Sequence, residues 1–196
     1  MRVLYVVQRY GEEIAGGAEQ HARAFAERLA QRDHNVTVLT TCAQSYVDWS
    51  NAFPRGWSRI NDVAVFRAPV AARRNHHLFG RFNSRLSNAP SLRPLALQRE
   101  WMQMQGPYAP DVVPWLRHHA RTYDVVVFIT YLYWLTWAGL RECAGDEQSR
   151  RALLQAALQW LRCGPGMRLR PSGRGRCRGR CCRDVRSPQD EPSSVR

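Results

Sequence analysis

Gly16 and Gly17 stand directly before a segment that reads as a helix from Ala18, and that placement could hold an anion. The first N–H groups of a helix have no intrahelical partner and the helix dipole is positive there, so a phosphate is favoured. Residues without side chains would let such a ligand reach the backbone. The same pair would also serve a tight turn with no ligand, and the residues alone leave both readings open. The spacing of Gly11, Gly16 and Gly17 is not G-x-G-x-x-G, which argues against a nicotinamide or flavin dinucleotide. A second candidate group is aromatic: Tyr131, Tyr133, Trp134 and Trp137 follow an apolar run and could line a ligand cleft or pack in the core. All 29 basic residues are arginine. With no lysine, a P-loop lysine, a Schiff-base lysine and a lysine general base are all excluded.

The elements that must position these residues follow from the apolar pattern. Val3 to Val7 is an uninterrupted β-rich run, as expected of a strand covered on both faces of a parallel sheet. Ala18, Ala22, Phe25, Ala26, Leu29 and Ala30 form a helical stripe, with Glu19, Arg23 and Glu27 spaced by four on the other side. Val36 to Thr41 is the next strand, and a strand-helix-strand unit of this length requires a right-handed parallel crossover. Ligands in such sheets bind beyond the carboxyl ends of the strands. The aromatic segment Cys42 to Asn61 is expected to fold over the sheet edge or the cleft. Val63 to Phe66 reads as a third strand, residues 71 to 90 as an exposed loop and short helix, and Leu92 to Gln105 and Asp111 to Arg121 as helices. Pro114 falls in the first turn of the latter, where its missing N–H does no harm. Val125 to Ile129 reads as a fourth strand and Trp134 to Cys143 as the helix after it. The fold class implied is α/β, a Rossmann-like parallel sheet with helices on both faces.

The chain has 196 residues, room for one domain and a tail. Residues 1 to 145 carry 17 Arg against 11 acids, and residues 146 to 196 carry 12 Arg against 5. Thus a quarter of the chain holds over half of the +13 excess. Glu147 to Arg162 has a helical pattern, while 163 to 196 is dominated by Arg, Gly, Pro, Ser and Cys and reads as disordered. The tail arginines suit nonspecific nucleic-acid binding through phosphates, without aromatics to stack bases. Cys163, Cys177, Cys181 and Cys182 lack the paired knuckles of structural zinc sites, so no metal is expected. The start at Val3 to Val7 is broken by Gln8 and Arg9 before it reaches signal-peptide length, so a cytoplasmic protein with reduced thiols is expected. Arg73 to Arg85, beside Leu78, Phe79 and Phe82, suits either peripheral contact with an anionic membrane or a solvated loop.

Residues 1 to about 145 resemble the N-terminal half of a family-four glycosyltransferase of GT-B fold. The likeness is carried by Gly16-Gly17-Ala18-Glu19, similar to the family's G-G-x-E loop, and by Asp33-His34-Asn35-Val36-Thr37-Val38-Leu39-Thr40, similar to its G-H-x-V-x-V-x-T. The run Trp49 to Trp57 followed by Ile60-Asn61-Asp62-Val63 looks like the family's loop into its third strand. The resemblance implies retaining transfer of a sugar from a nucleotide-sugar donor to an acceptor hydroxyl on a glycan or lipid, with no cofactor and no metal. It also implies donor phosphate contact by Gly16 and Gly17, with Glu19, Tyr131, Tyr133 and Trp134 at the acceptor side or cleft; no catalytic residue follows.

Asp33 and Asp62 stand where the family often has turn glycines, which Asp tolerates because it can enter left-handed geometry. His118 and His119 fall inside a helix and do not match the family's acceptor histidine. The family's next strand and its E-x7-E domain have no counterpart after Ala144. The expectation is therefore a truncated acceptor-side domain, inactive alone, whose residues 146 to 196 arise from a shifted reading frame or a faulty gene model.

Overall fold

The computed structural model describes residues 1–88 and 95–143. The helical reading of Glu147 to Arg162, the disorder expected from 163 and the tail cysteines lie outside the described residues. The elements run β1 (Arg2–Val6), α1 (Gly17–Ala30), β2 (Asn35–Thr41), β3 (Gly56–Ile60), β4 (Val63–Ala68), α2 (His76–Asn88), α3 (Leu95–Gln105), α4 (Val112–His119), β5 (Val125–Phe128) and α5 (Trp134–Cys143). This is an α/β fold around one five-stranded sheet of order β3-β4-β2-β1-β5. β1 pairs in parallel with β2 and β5, and β2 with β4.

The sheet is mixed, where the sequence pattern implied parallel strands only. β3 pairs antiparallel with β4 and forms the sheet edge. Residues 56–60 therefore extend the sheet through a hairpin instead of lying over it. The hairpin turns at Asn61 and Asp62, both with positive φ (45° and 65°), as a two-residue turn with the twist of a right-handed ribbon requires. Asp33 is likewise left-handed, with φ 59°. The strand escaped the apolar pattern because Gly56–Ile60 is mostly exposed. An edge strand needs no alternating apolar face when little covers it.

Alternation along the buried strands divides the core in two. Val3, Tyr5, Val36, Val38, Val63 and Val65 pack under Ala22 and Ala26 of α1. Leu4, Val6 and Leu39 face the opposite layer, with Trp101, Met102, Val112, Leu116 and Leu135 from α3, α4 and α5. Helices thus cover both faces. α2 joins the second layer through Phe79, Phe82 and Leu86. It is longer and better anchored than the short exposed helix expected for residues 71–90, because its aromatic residues turn inward. No helix among the described residues is long and apolar enough to cross a membrane.

β1 and β5 are neighbours, yet the chain leaves β1 for a helix on one face and β5 for a helix on the other. Such a reversal opens a crevice beyond the carboxyl ends of the two strands. The loop into α1 and the segment 129–133 meet there.

Candidate functional site

A buried polar network closes the floor of this crevice. Gln8 and Arg9, the residues that end the first apolar run, are 3% and 8% exposed, and Glu19 is 6% exposed. Glu19 Oε1 accepts from Gln8 Nε2 at 3.1 Å, from Arg9 Nε at 2.9 Å and from Arg9 Nη2 at 2.5 Å. Arg9 Nη1 donates to the Gln44 carbonyl at 3.0 Å, which ties the end of β2 into the same network. From the other strand, Thr130 Oγ1 donates to Gln8 Oε1 at 2.9 Å, and the Thr136 hydroxyl donates to the Thr130 carbonyl. Thr130 itself has φ 67°, an outlier for a β-branched residue, right at the mouth of β5.

The two glycines play different parts. Gly16 is the N-cap of α1 in extended geometry, and a Cβ there would lie 2.1 Å from Glu19 Oε2 and 2.8 Å from Arg9 Nη2. The absent side chain at 16 makes room for the Glu19–Arg9 pair. At Gly17 a Cβ would meet nothing within 4 Å, and no unusual φ requires glycine. Packing accounts for Gly16 and leaves Gly17 open to an external ligand. The first intrahelical bond of α1 runs from the Gln20 N–H to the Gly16 carbonyl at 2.8 Å, so the N–H groups of Gly17, Ala18 and Glu19 precede the ladder at the positive pole.

A second recess, of about 330 Å³, is bounded by Trp49, Arg73, Arg74, Leu78, Met104 and Tyr108. Its walls are stitched by backbone bonds from Arg74 N–H to the Asp48 carbonyl and from Ala71 N–H to the Tyr108 carbonyl, both 2.8 Å. Trp49, itself left-handed with φ 57°, is fully buried and donates from Nε1 to the Gln105 carbonyl at 2.9 Å. Gly106 has φ 71°, and a Cβ there would sit 2.7 Å from the Trp49 ring, so glycine is required twice over. Arg74 donates from Nη2 to Gln105 Oε1 and lies over the Phe79 ring, but its Nε is buried with no partner among the described residues. Among the described residues no carboxylate lies within ion-pair distance of it. Burial pushes its guanidinium below the usual arginine range.

The aromatic candidates separate. Tyr133 packs edge-on to Trp49 of the recess wall, with ring centroids 5.3 Å apart. Its hydroxyl is pushed up by burial and by the Glu19 carboxylate, while Arg9 and Arg74 pull the other way. Tyr131 is 61% exposed at the rim. Trp134 is 4% exposed and packs edge-on against Tyr108, its backbone N–H bonded to the Gly106 carbonyl, so it backs the recess wall from within the core. Glu19 turns inward and fixes the glycine loop. Phe79 and Phe82 of the basic segment also turn inward, leaving Leu78 as its exposed apolar residue. His118 and His119 bond to carbonyls of their own helix, Pro114 and Trp115.

Gln8, Arg9, Trp49, Arg74 and Thr130 belong to the site but were not singled out from the sequence. A polar pair directly after a buried strand was the visible signal for Gln8 and Arg9. Among the described residues no group of His, Cys, Asp and Glu is arranged to hold a metal ion. The chain matches no family model, no curated protein and no solved structure.

Proposed function

We propose that residues 1–143 form the acceptor-side domain of a retaining, family-four type glycosyltransferase, with the N-terminus of α1 receiving the diphosphate of a nucleotide-sugar donor. The observation that carries this reading is Gly17: a glycine at the positive pole of a helix, at a strand-order reversal, with no internal packing or backbone demand for it. As the sugar–phosphate bond breaks, negative charge grows on the leaving diphosphate. Oriented N–H groups of Gly17 and Ala18 stabilise that charge without reorganising. The inward Glu19–Arg9 pair holds the loop at its proper height, and the recess beside Tyr133 receives the acceptor. Contacts from one side hold the donor but do not complete a transferase site, so this chain alone binds donor and does not turn it over.

Calorimetric titration of the full chain with UDP and GDP, before and after Gly17→Asp, tests the reading. An aspartate at 17 meets open space and favours the helix dipole, so the variant keeps or slightly raises its melting temperature. It should nevertheless weaken diphosphate binding about tenfold or more by charge repulsion. No binding of either nucleotide by the native chain, or binding indifferent to Gly17→Asp, overturns the reading.

A further inference from the structure

The recess beside Tyr133 has a composition that narrows its ligand. Its lining includes the apolar Trp49, Leu78, Met104 and Tyr108. It also includes Arg73 and Arg74. Glu100 also lines the recess, but no ion pair joins it to either arginine. Arg73 is exposed and feels Asp48, whereas Arg74 is half-buried and, among the described residues, feels Tyr133 and no acid. A desolvated guanidinium with an unpartnered Nε is costly unless a counter-charge arrives. At about 330 Å³ the recess matches the small end of ligand pockets, which start at about 300 Å³. A neutral polyhydroxylated ligand would leave Arg74 uncompensated, and a small inorganic anion would leave the apolar wall wet.

We infer that this recess binds a single-tailed amphiphile with an anionic head, the head on Arg74 and the tail along Trp49, Leu78, Met104 and Tyr108. The inference names the acceptor class for the transferase reading and rests on it for that role; the ligand chemistry of the recess is tested separately. Tyr133 meets Trp49 of the recess wall edge-on, and both Arg74 and Arg9 act on its hydroxyl.

The experiment is calorimetric titration of the full chain with decyl phosphate below its micelle concentration, set against hexyl phosphate, inorganic phosphate and neutral decyl glucoside. Binding should tighten about fourfold for each added methylene that enters the recess. Inorganic phosphate and decyl glucoside should each bind at least about tenfold more weakly than decyl phosphate. Arg74→Gln should remove most of the preference for the charged head. Leu78→Asp, at a position 52% exposed and so harmless to folding, should weaken decyl phosphate about tenfold or more. No binding of decyl phosphate, equal binding of decyl glucoside or of inorganic phosphate, or indifference to Leu78→Asp overturns the inference. Loss of nucleotide binding alone would instead count against the transferase reading.

Discussion

The loops that leave β1 and β4 both begin at carboxyl ends of parallel strands, and both carry arginine into partly desolvated space. After β1, Arg9 meets Glu19, Gln8 and the Gln44 carbonyl, and its charge is neutralised within the chain. After β4, Arg74 meets a glutamine side chain and an aromatic face, and its charge is left over. The first arrangement is a finished structural joint; the second has a valence that the described residues do not fill. Burial of a polar side chain is therefore a poor marker of function by itself, and the balance of its partners is a better one.

Removing one partner on each side should separate the two arginines most widely. Glu19→Ala strands Arg9 as a buried unpaired cation and should cost about 3–5 kcal/mol in urea unfolding. Arg74→Gln removes a cation that has no counter-charge, and should cost under about 1 kcal/mol. Equal losses would mean that Arg74 is as structural as Arg9. Next in size come the two glycines. Gly16→Ala drives a methyl into the Glu19 carboxylate and should destabilise by about 1–3 kcal/mol, whereas Gly17→Ala should stabilise by about 0.5–1 kcal/mol, both read as shifts in denaturant midpoint. A destabilising Gly17→Ala would show an internal need for that glycine.

The smallest effect concerns Tyr133, which lies between the two regions. Its folded pKa is raised, so its contribution to stability is fully present below the ordinary tyrosine value near 10 and is lost as pH rises through the folded value. Ultraviolet titration against Tyr133→Phe should resolve a tyrosine that ionises late. Arg74→Gln should delay it further, since Arg74 favours the phenolate. An earlier ionisation in that variant would place Arg74 elsewhere than beside Tyr133.

Much of the fold was legible because β1, β2 and β4 are largely buried and β5 is half-buried, so all four appear as plain apolar runs. β3 was not, since an exposed edge strand leaves no such trace; its turn, Asn61-Asp62, was the available sign. At the site, Gly16 and Gly17 stood out together but could not be told apart, because the difference lies in where the Glu19 side chain turns. Arg74 was visible only as one member of a basic stretch. Its significance depends on contacts with Gln105 and Tyr133, 31 and 59 positions away, which no local pattern reports. Trp134 read as a cleft residue, yet helix α5 turns it into the core.

The pairing of Val3 with Val125 has a consequence in time. β1 is the first strand made and lies inside the finished sheet, but one of its two neighbours is separated from it by most of the domain. At about 5–20 residues per second, synthesis leaves that edge of β1 unpaired for roughly 6–24 s. By the end of this interval the nascent chain holds β1, α1, β2, β3 and β4 as a four-stranded sheet with a bare apolar border. Slow, long-range closure of this kind favours capture by other unpaired strands, so the yield of folded protein should depend on how quickly translation reaches Phe128.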